Sequence, residues 1–160
     1  IAGNLPQAHA RFARSLKVCK DAEDKRGAAI ALWRLGKSDL AGHDLEPARE
    51  RLGVALRALR EFEMNAETLD CLEDYARFLL VDGRVEDAVR LASSAAAVRD
   101  ALALPRSSRA EADAPLDLKS ARASIGDEEF DRAWAAGRHW SLGEAIDSAL
   151  ASTVDAAIAA

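Results

Sequence analysis

The 160-residue sequence is poor in aromatic residues, in proline and in cysteine, and it lacks long apolar runs. Aromatic side chains make up 5% of the chain and there are only four prolines, so little interrupts long helices and aliphatic side chains must fill the core. No uncharged apolar window reaches the roughly 18 residues of a membrane span, so we expect no transmembrane helix. The start at Ile1, without Met or a signal-peptide pattern, suggests a fragment of a longer protein.

Clusters of positive charge are also lacking, because the basic residues are scattered along the chain. The net charge is −5, and basic residues alternate with acidic ones, as in Arg49-Glu50-Arg51. Such alternation is typical of solvated helix faces, whereas a nucleic-acid-binding surface needs clustered Lys and Arg to neutralise phosphates. We therefore expect no direct nucleic-acid contact and no membrane association.

The two cysteines have no spacing typical of a disulfide framework. Cys19 and Cys71 each fall within a helical pattern. This favours reduced thiols that pack as small hydrophobes, and it predicts a cytoplasmic protein.

Signatures of catalysis and of metal binding are absent as well. Gly36-Lys37-Ser38 resembles the end of a phosphate-binding loop but lacks the preceding glycines and strand. His9, His43 and His139 are far apart and lack paired ligand spacing. The sequence accordingly predicts no enzyme activity, no cofactor and no metal.

What the chain does contain is an internal repeat with a period of about 40 residues, within the range of helical-repeat proteins. Similar residues recur at this spacing: Leu5, Leu45 and Val85; Ala8, Ala48 and Ala88; Leu32 and Leu72; Leu35 and Tyr75; Gly36 and Ala76. Apolar residues within each repeat follow the i, i+3, i+4, i+7 spacing of amphipathic helices.

This spacing predicts two helices in each repeat. In the second repeat they run from about Ala22 to Leu40 and from Leu45 to Arg60, with Pro47 in a first turn. The first repeat retains only its second helix. Small and large residues recur at positions similar to those of tetratricopeptide repeats. We predict an all-α, tetratricopeptide-like antiparallel helix-pair solenoid (an α-α superhelix).

The predicted domain organisation has four parts. Residues 1–104 form the helical repeats, residues 105–114 a linker, residues 115–152 a C-terminal helical cap, and residues 153–160 a tail. Asp127 is the expected N-cap of one cap helix, and Ser141 with Glu144 predicts a capping box for the last. Trp134 and Trp140 are expected in the core of the cap.

Two sets of residues form a more specific pattern: Leu72-Glu73, Tyr75-Ala76, Gly83–Ala88 and Ala92–Arg99 in the repeats, and the closing motif Ile125-Gly126, Phe130, Ala133-Trp134, Gly137-Arg138, Ser141-Leu142 and Glu144-Ala145. On these residues, and over nearly its whole length, the chain resembles the C-terminal repeat region of large bacterial, typically actinobacterial, signal-transduction ATPase regulators that carry LuxR-type DNA-binding or adenylate cyclase domains. The match is firmest over residues 66–150, and His139-Trp140 departs from the smaller residues expected there. The resemblance implies a regulatory module without the ATPase or cyclase residues.

In tetratricopeptide arrays the first helices of successive repeats line a concave face. Transferring that geometry predicts a partner-binding face made by Ile30, Trp33, Lys37, Asp70, Glu73 and Arg77. Trp33 is either an exposed anchor on this face or a packing residue against a neighbouring repeat. Asp70, Glu73 and Asp74 are interpreted as an exposed acidic face with an i, i+4 pair between Glu73 and Arg77.

The sequence thus favours a non-catalytic protein-interaction and regulatory module. Its partners would be other domains of a parent regulator, a regulatory protein or a second copy. The alternative is a helical domain that senses a small-molecule effector, which requires an apolar pocket with convergent polar groups.

Overall fold

The structure, a computed structural model, describes residues 5–106 and 116–158, with side chains described as far as residue 151. Within these residues all regular structure is helical, and no strand is present. The all-α prediction is confirmed. Most of the predicted linker lies outside the described residues.

Eight helices occupy the described part of the chain. They are α1 Leu5–Asp21, α2 Lys25–Ala41, α3 Leu45–Glu61, α4 Asn65–Val81, α5 Val85–Leu102, α6 Leu118–Ile125, α7 Asp127–Gly137 and α8 Leu142–Ile158.

The connections after the first five helices share one geometry. The residues with positive φ recur at equal spacing along the chain: Glu23 (56°), His43 (59°), Glu63 (55°), Gly83 (82°) and Ala103 (50°). After each, the next amide donates to the carbonyl five residues back, as from Asp44 to Asp39 (3.0 Å) and from Arg84 to Leu79 (2.8 Å). This 6→1 bond is the Schellman ending of a helix. Each sequence repeat therefore consists of two helix–turn steps of equal length.

The chain divides into two compact units, and the division falls within α4. In the amino-terminal unit, residues 1–71, α2 packs against both α1 and α3. A Cβ at Gly36 would come within 3.1 Å of Arg51 and Leu52, so α2 and α3 cross closely there. The core of this unit is filled by Trp33, Leu35, Leu52, Leu56 and Leu59.

In the carboxyl-terminal unit, residues 72–160, α5 packs against α6, α7 and α8. A Cβ added to Gly137 would collide with the carbonyl of Arg90, so α7 lies directly on the backbone of α5. The apolar cluster beside this crossing consists of Val89, Ala121, Phe130 and Ala133, with Trp134 partly buried against it.

The cap helices agree with the sequence in part. Ser141 and Glu144 form the predicted capping box: the Ser141 amide donates to the Glu144 carboxylate (2.7 Å) and the Glu144 amide to the Ser141 hydroxyl (3.3 Å). The prediction of Asp127 as an N-cap is wrong, because Gly126, at φ 85°, caps α7 and Asp127 is its first residue. The last helix continues to Ile158, into the segment predicted as a tail.

Candidate functional site

Three of the predicted partner-binding residues lie on α2, in the amino-terminal unit. Ile30 and Lys37 are half-buried, whereas Trp33 is only 2% exposed. The guanidinium of Arg34 lies 4.0 Å from the centre of the Trp33 ring. Of the two interpretations of Trp33, its burial fits the packing role.

The acidic residues of α4 are not on an exposed face. Asp70 in the amino-terminal unit and Asp74 in the carboxyl-terminal unit are 5% and 2% exposed, and Glu73 is 9% exposed. The interpretation of these carboxylates as a solvated acidic face is wrong, because all three are buried. Buried carboxylates require charged or hydrogen-bonding partners.

The partners of Glu73 differ from those predicted. Its Oε1 accepts from Arg99 Nε (2.8 Å) and its Oε2 pairs with Arg106 Nη2 (2.9 Å). Arg77 donates instead to Asp74 (2.6 Å). The prediction of a Glu73–Arg77 pair is wrong because the packing of α5 brings Arg99, far along the chain, beside Glu73.

Glu73 and Arg77 nevertheless line the same cavity, entirely within the carboxyl-terminal unit. Its volume is about 360 Å³. Its charged lining is Glu73, Arg77, Arg99, Asp100 and Arg106, and its apolar lining is Ala92, Ala96, Leu116, Leu118 and Trp134. An apolar wall with a few convergent polar groups is the usual composition of a ligand pocket.

The amino-terminal unit has its own ionic cluster, which joins its three helices. Asp39 of α2 contacts His9 of α1 through Oδ1 (2.9 Å to Nε2) and Arg51 of α3 through Oδ2 (2.5 Å to Nη1). The side chain of Asp39 is 4% exposed, whereas those of His9 and Arg51 are 41% and 31% exposed. The buried Asp39 carboxylate thus contacts two partly exposed side chains, those of His9 and Arg51, one on each neighbouring helix.

Sequence reasoning missed this cluster, although the repeat contains a signal for it. In the next repeat the positions equivalent to Asp39 and Arg51 are Leu79 and Leu91, both of which are 1% exposed. A carboxylate and a guanidinium at positions that are leucine in the next repeat indicate a polar cluster inside the packing stripe.

Hydrogen bonds shift three pKa values in the cap. Hydrogen bonds from the backbone and side chain of Ser141 lower the pKa of Glu144, and those from Ser120 lower the pKa of Asp117. Hydrogen bonds to Asp131 and Asp127 raise the pKa of Arg122. All three groups are on the surface and act on helix ends or on an exposed ion-pair network.

Across 5–106 and 116–158, no three His, Cys, Asp or Glu side chains are grouped so that they could hold a metal ion. No helix in those ranges has the length and apolar character needed to cross a bilayer. Neither Cys19 nor Cys71 forms a disulfide, and Cys71 is buried, with its thiol 4.0 Å from the carbonyl of Leu52.

Comparison of the chain with protein-family models, curated proteins and solved structures gives no match.

Proposed function

We propose that this chain is a non-catalytic protein-interaction and regulatory module of a larger ATP-dependent transcriptional or signalling regulator in the cytoplasm. In this proposal its helix–turn steps form a tetratricopeptide-like solenoid with a small C-terminal helical cap. The observation that carries the proposal is the regular recurrence of one turn geometry after each of the first five helices. In a tetratricopeptide-like array, regular stacking presents successive helices to a partner as one extended surface.

The resemblance to bacterial signal-transduction ATPase regulators supports the regulatory part of the proposal. Several residues of the closing motif have structural roles that explain their identity. Gly126 caps α7 at positive φ, Gly137 allows α7 to lie on α5, and Ser141 with Glu144 caps α8. A motif with such roles favours a defined terminal cap on a repeat array.

The predicted partner-binding residues divide by exposure within each unit taken by itself. Ile30 and Lys37 are half-buried and are the contacts that a partner reaches on α2. Trp33, at 2% exposure, supports that helix from within the core. On α4 the partly exposed Arg77, held by Asp74, is the corresponding contact.

The test measures binding of the purified chain to the other domains of its parent protein by isothermal titration calorimetry. We expect Lys37→Glu to weaken binding at least about tenfold, because reversing a charge at a contact opposes the partner's complementary charge. The matched control is Lys25→Glu, on the same helix and exposed, which should bind as the unmodified chain does. Equal binding by the two variants would reject the face, and absence of binding by the unmodified chain would reject intramolecular docking.

A second candidate function is that of a small-molecule effector sensor. The observation that favours it is the 360 Å³ cavity of the carboxyl-terminal unit, with its apolar wall and clustered guanidinium groups. A thermal-shift screen with candidate effectors separates the two functions, because protein docking does not require the chain alone to bind small molecules.

A further inference from the structure

The side of α1 that faces away from α2 has the same residue pattern as the side of α3 that packs on α2. At the repeat period of about 40 residues, four positions correspond: Ala8 to Ala48, Arg11 to Arg51, Ser15 to Ala55 and Val18 to Ala58. Positions spaced in this way lie on one side of a helix, because three or four residues make one turn. We call the four residues of α1 the outer stripe.

The two stripes differ in exposure. On α3, Ala48 and Ala55 are 0% exposed. On α1, whose residues are all described, no side chain is fully buried. Arg11 and Ser15 are exposed, and Val18 is 59% exposed. The outer stripe therefore carries the residues of a helix-packing surface but is open to solvent.

The packing of α2 on α3 shows what kind of helix fits such a stripe. A Cβ added to Gly36 of α2 would come within 3.1 Å of Arg51 and Leu52, so a small residue is needed at the crossing. Three positions later Asp39 accepts from Arg51, with 2.5 Å between Oδ2 and Nη1. A helix that packs on this pattern thus presents a small residue followed, three positions on, by an aspartate.

The charge of α1 suits the same kind of helix. Arg11, which corresponds to Arg51, forms no ion pair with any residue of the chain that the structure describes. Its helix carries four basic residues and a single acidic one, Asp21. A carboxylate brought to Arg11 would form a charge-assisted hydrogen bond, and further acidic residues on the same helix would complement the remaining charges.

A second copy of the chain does not offer this helix. Its Gly36 and Asp39 are on α2, which is already packed between α1 and α3. The helix that fits the outer stripe must therefore come from a different protein or domain.

We propose that the outer stripe of α1 is a docking surface for an acidic amphipathic helix of a protein partner. The helix lies on α1 as α2 lies on α3, with its small residue beside Phe12 and its aspartate on Arg11. This surface is separate from the proposed partner-binding residues of α2 and α4, so the inference does not rest on the proposed function.

The probe is a synthetic peptide based on α2, residues 25–41, which contains both Gly36 and Asp39. Lys25→Glu and Arg26→Glu, at two exposed positions, make it acidic and stabilise its first turn. Isothermal titration calorimetry measures its binding to the complete chain. We expect saturable binding with one peptide per chain.

Arg11→Leu in the chain tests the ionic contact. We expect it to weaken peptide binding about tenfold, because it leaves the aspartate of the peptide without its charged partner. The matched control is Arg14→Leu, which removes the same charge from the same helix. Arg14 corresponds to Val54 of α3, which is 38% exposed, so this variant should bind within about twofold of the unmodified chain.

A peptide with Asp39→Leu completes the cycle. It should bind the unmodified chain about tenfold more weakly than the aspartate peptide does, and regain that affinity on the Arg11→Leu chain. The reason is that the next repeat has leucine at both equivalent positions, Leu79 and Leu91, and buries both.

Ser15→Gln tests the close approach of the two helices. Ser15 corresponds to the fully buried Ala55, so a larger side chain should weaken binding of either peptide at least about tenfold. Ala10→Gln, at an exposed position outside the outer stripe, should have no effect. Circular dichroism and the melting temperature show whether each variant is folded.

Recovery of affinity in the leucine pair, together with loss in Ser15→Gln, supports the inference. Peptide binding that is insensitive to both Arg11→Leu and Ser15→Gln overturns it, because the peptide then replaces α2 in its own position. No binding by the peptide, or self-association of the unmodified chain that Arg11→Leu abolishes in analytical ultracentrifugation, also overturns it. Binding to anionic phosphatidylserine vesicles that Arg11→Leu and Arg14→Leu weaken equally, without peptide binding, would assign the stripe to a membrane surface instead.

Discussion

The two units use the same helix–turn step but fill corresponding positions in different ways. In the amino-terminal unit Asp39 and Arg51 form an ion pair, and at the equivalent positions the carboxyl-terminal unit has Leu79 and Leu91, both 1% exposed. These two repeat positions therefore accept either two buried leucines or an ionic cluster. A buried ion pair adds little stability over apolar residues of similar size, but its geometry specifies which helices meet.

The units also differ in how closely their helices cross. At Gly36 the nearest atoms to an added Cβ are 3.1 Å away and belong partly to the side chains of Arg51 and Leu52. At Gly137 they are the backbone atoms of Arg90, which have no freedom to move aside. The amino-terminal crossing is tight, whereas the crossing of α7 on α5 requires glycine.

The largest loss of stability is expected when one partner of the Asp39 carboxylate is removed from the ionic cluster. Arg51→Leu leaves the 4%-exposed Asp39 carboxylate with His9 alone, and we expect it to lower the free energy of unfolding by about 3 kcal/mol. The double variant Asp39→Leu/Arg51→Leu copies the leucine pair of the next repeat and should return to within about 1 kcal/mol of the original. Both are measured by urea denaturation. Arg11→Leu, the exposed equivalent on α1, is the control, and a double variant less stable than Arg51→Leu would refute the equivalence of the two pairs.

The second effect concerns the crossing of α7 on α5. Gly137→Ala should destabilise the protein by about 2–3 kcal/mol, because the added methyl group meets the Arg90 backbone and outweighs the gain in helix propensity of about 1 kcal/mol. Gly143→Ala in α8 is the control. Its nearest neighbour would be 3.9 Å away, so the substitution should be neutral or stabilising in the same denaturation experiment. If the two alanine variants had equal stability, the close approach would not exist.

A smaller change in stability is expected at the turns, where introducing a glycine and removing one should have opposite effects on the free energy of unfolding. His43→Gly relieves a non-glycine residue at φ 59° and should stabilise by up to about 1 kcal/mol. Gly83→Ala imposes that cost at φ 82° with nothing within 4 Å of the new Cβ, so it should destabilise by about 1 kcal/mol through the backbone alone. Thermal unfolding followed by circular dichroism measures both. Changes of the same sign would contradict a common turn geometry.

The smallest effect is a pH dependence of the cap. The pKa of Glu144 is lowered below its ordinary value of 4.5 by the hydrogen bonds from Ser141. A carboxylate with a lowered pKa in the folded state stabilises it above the unfolded pKa, and this contribution is lost as the pH falls through the folded pKa. We therefore expect Glu144→Gln to melt at a slightly lower temperature than the original at neutral pH, with the difference vanishing in acid. Glu128→Gln, exposed in the first turn of α7, shows the effect of removing an acidic charge without a capping box.

The helices could be predicted from the sequence closely. The predicted helix from Leu45 to Arg60 ends one position before the end of α3, because local apolar spacing and turn residues determine where a helix runs. The common turn after the first five helices is not predictable from the sequence, since Glu23, His43 and Glu63 are not the residues that usually end a helix at positive φ, whereas Gly83 is. The capping box at Ser141 was found because both partners lie within one turn.

The candidate site could be predicted only in part. Glu73 and Arg77 were selected from their register on one helix, and both line the cavity. The ion-pair partners of Glu73 were not predictable, because Arg99 lies at the far end of the next helix and Arg106 beyond it. The exposure of Trp33 is not predictable for the same reason, because its position beside the apolar stripe does not determine what packs over it.

The sequence by itself determined that the described part of the chain is helical, approximately where most of its helices run, and which residues recur from one repeat to the next. These properties depend on interactions within a few residues, namely apolar periodicity, caps and turns. The tertiary structure alone decided which charges are buried together, that three helices meet at Asp39, and that guanidinium groups gather beside an apolar cavity near Trp134. Those arrangements depend on contacts between residues far apart in the chain, which local periodicity does not encode.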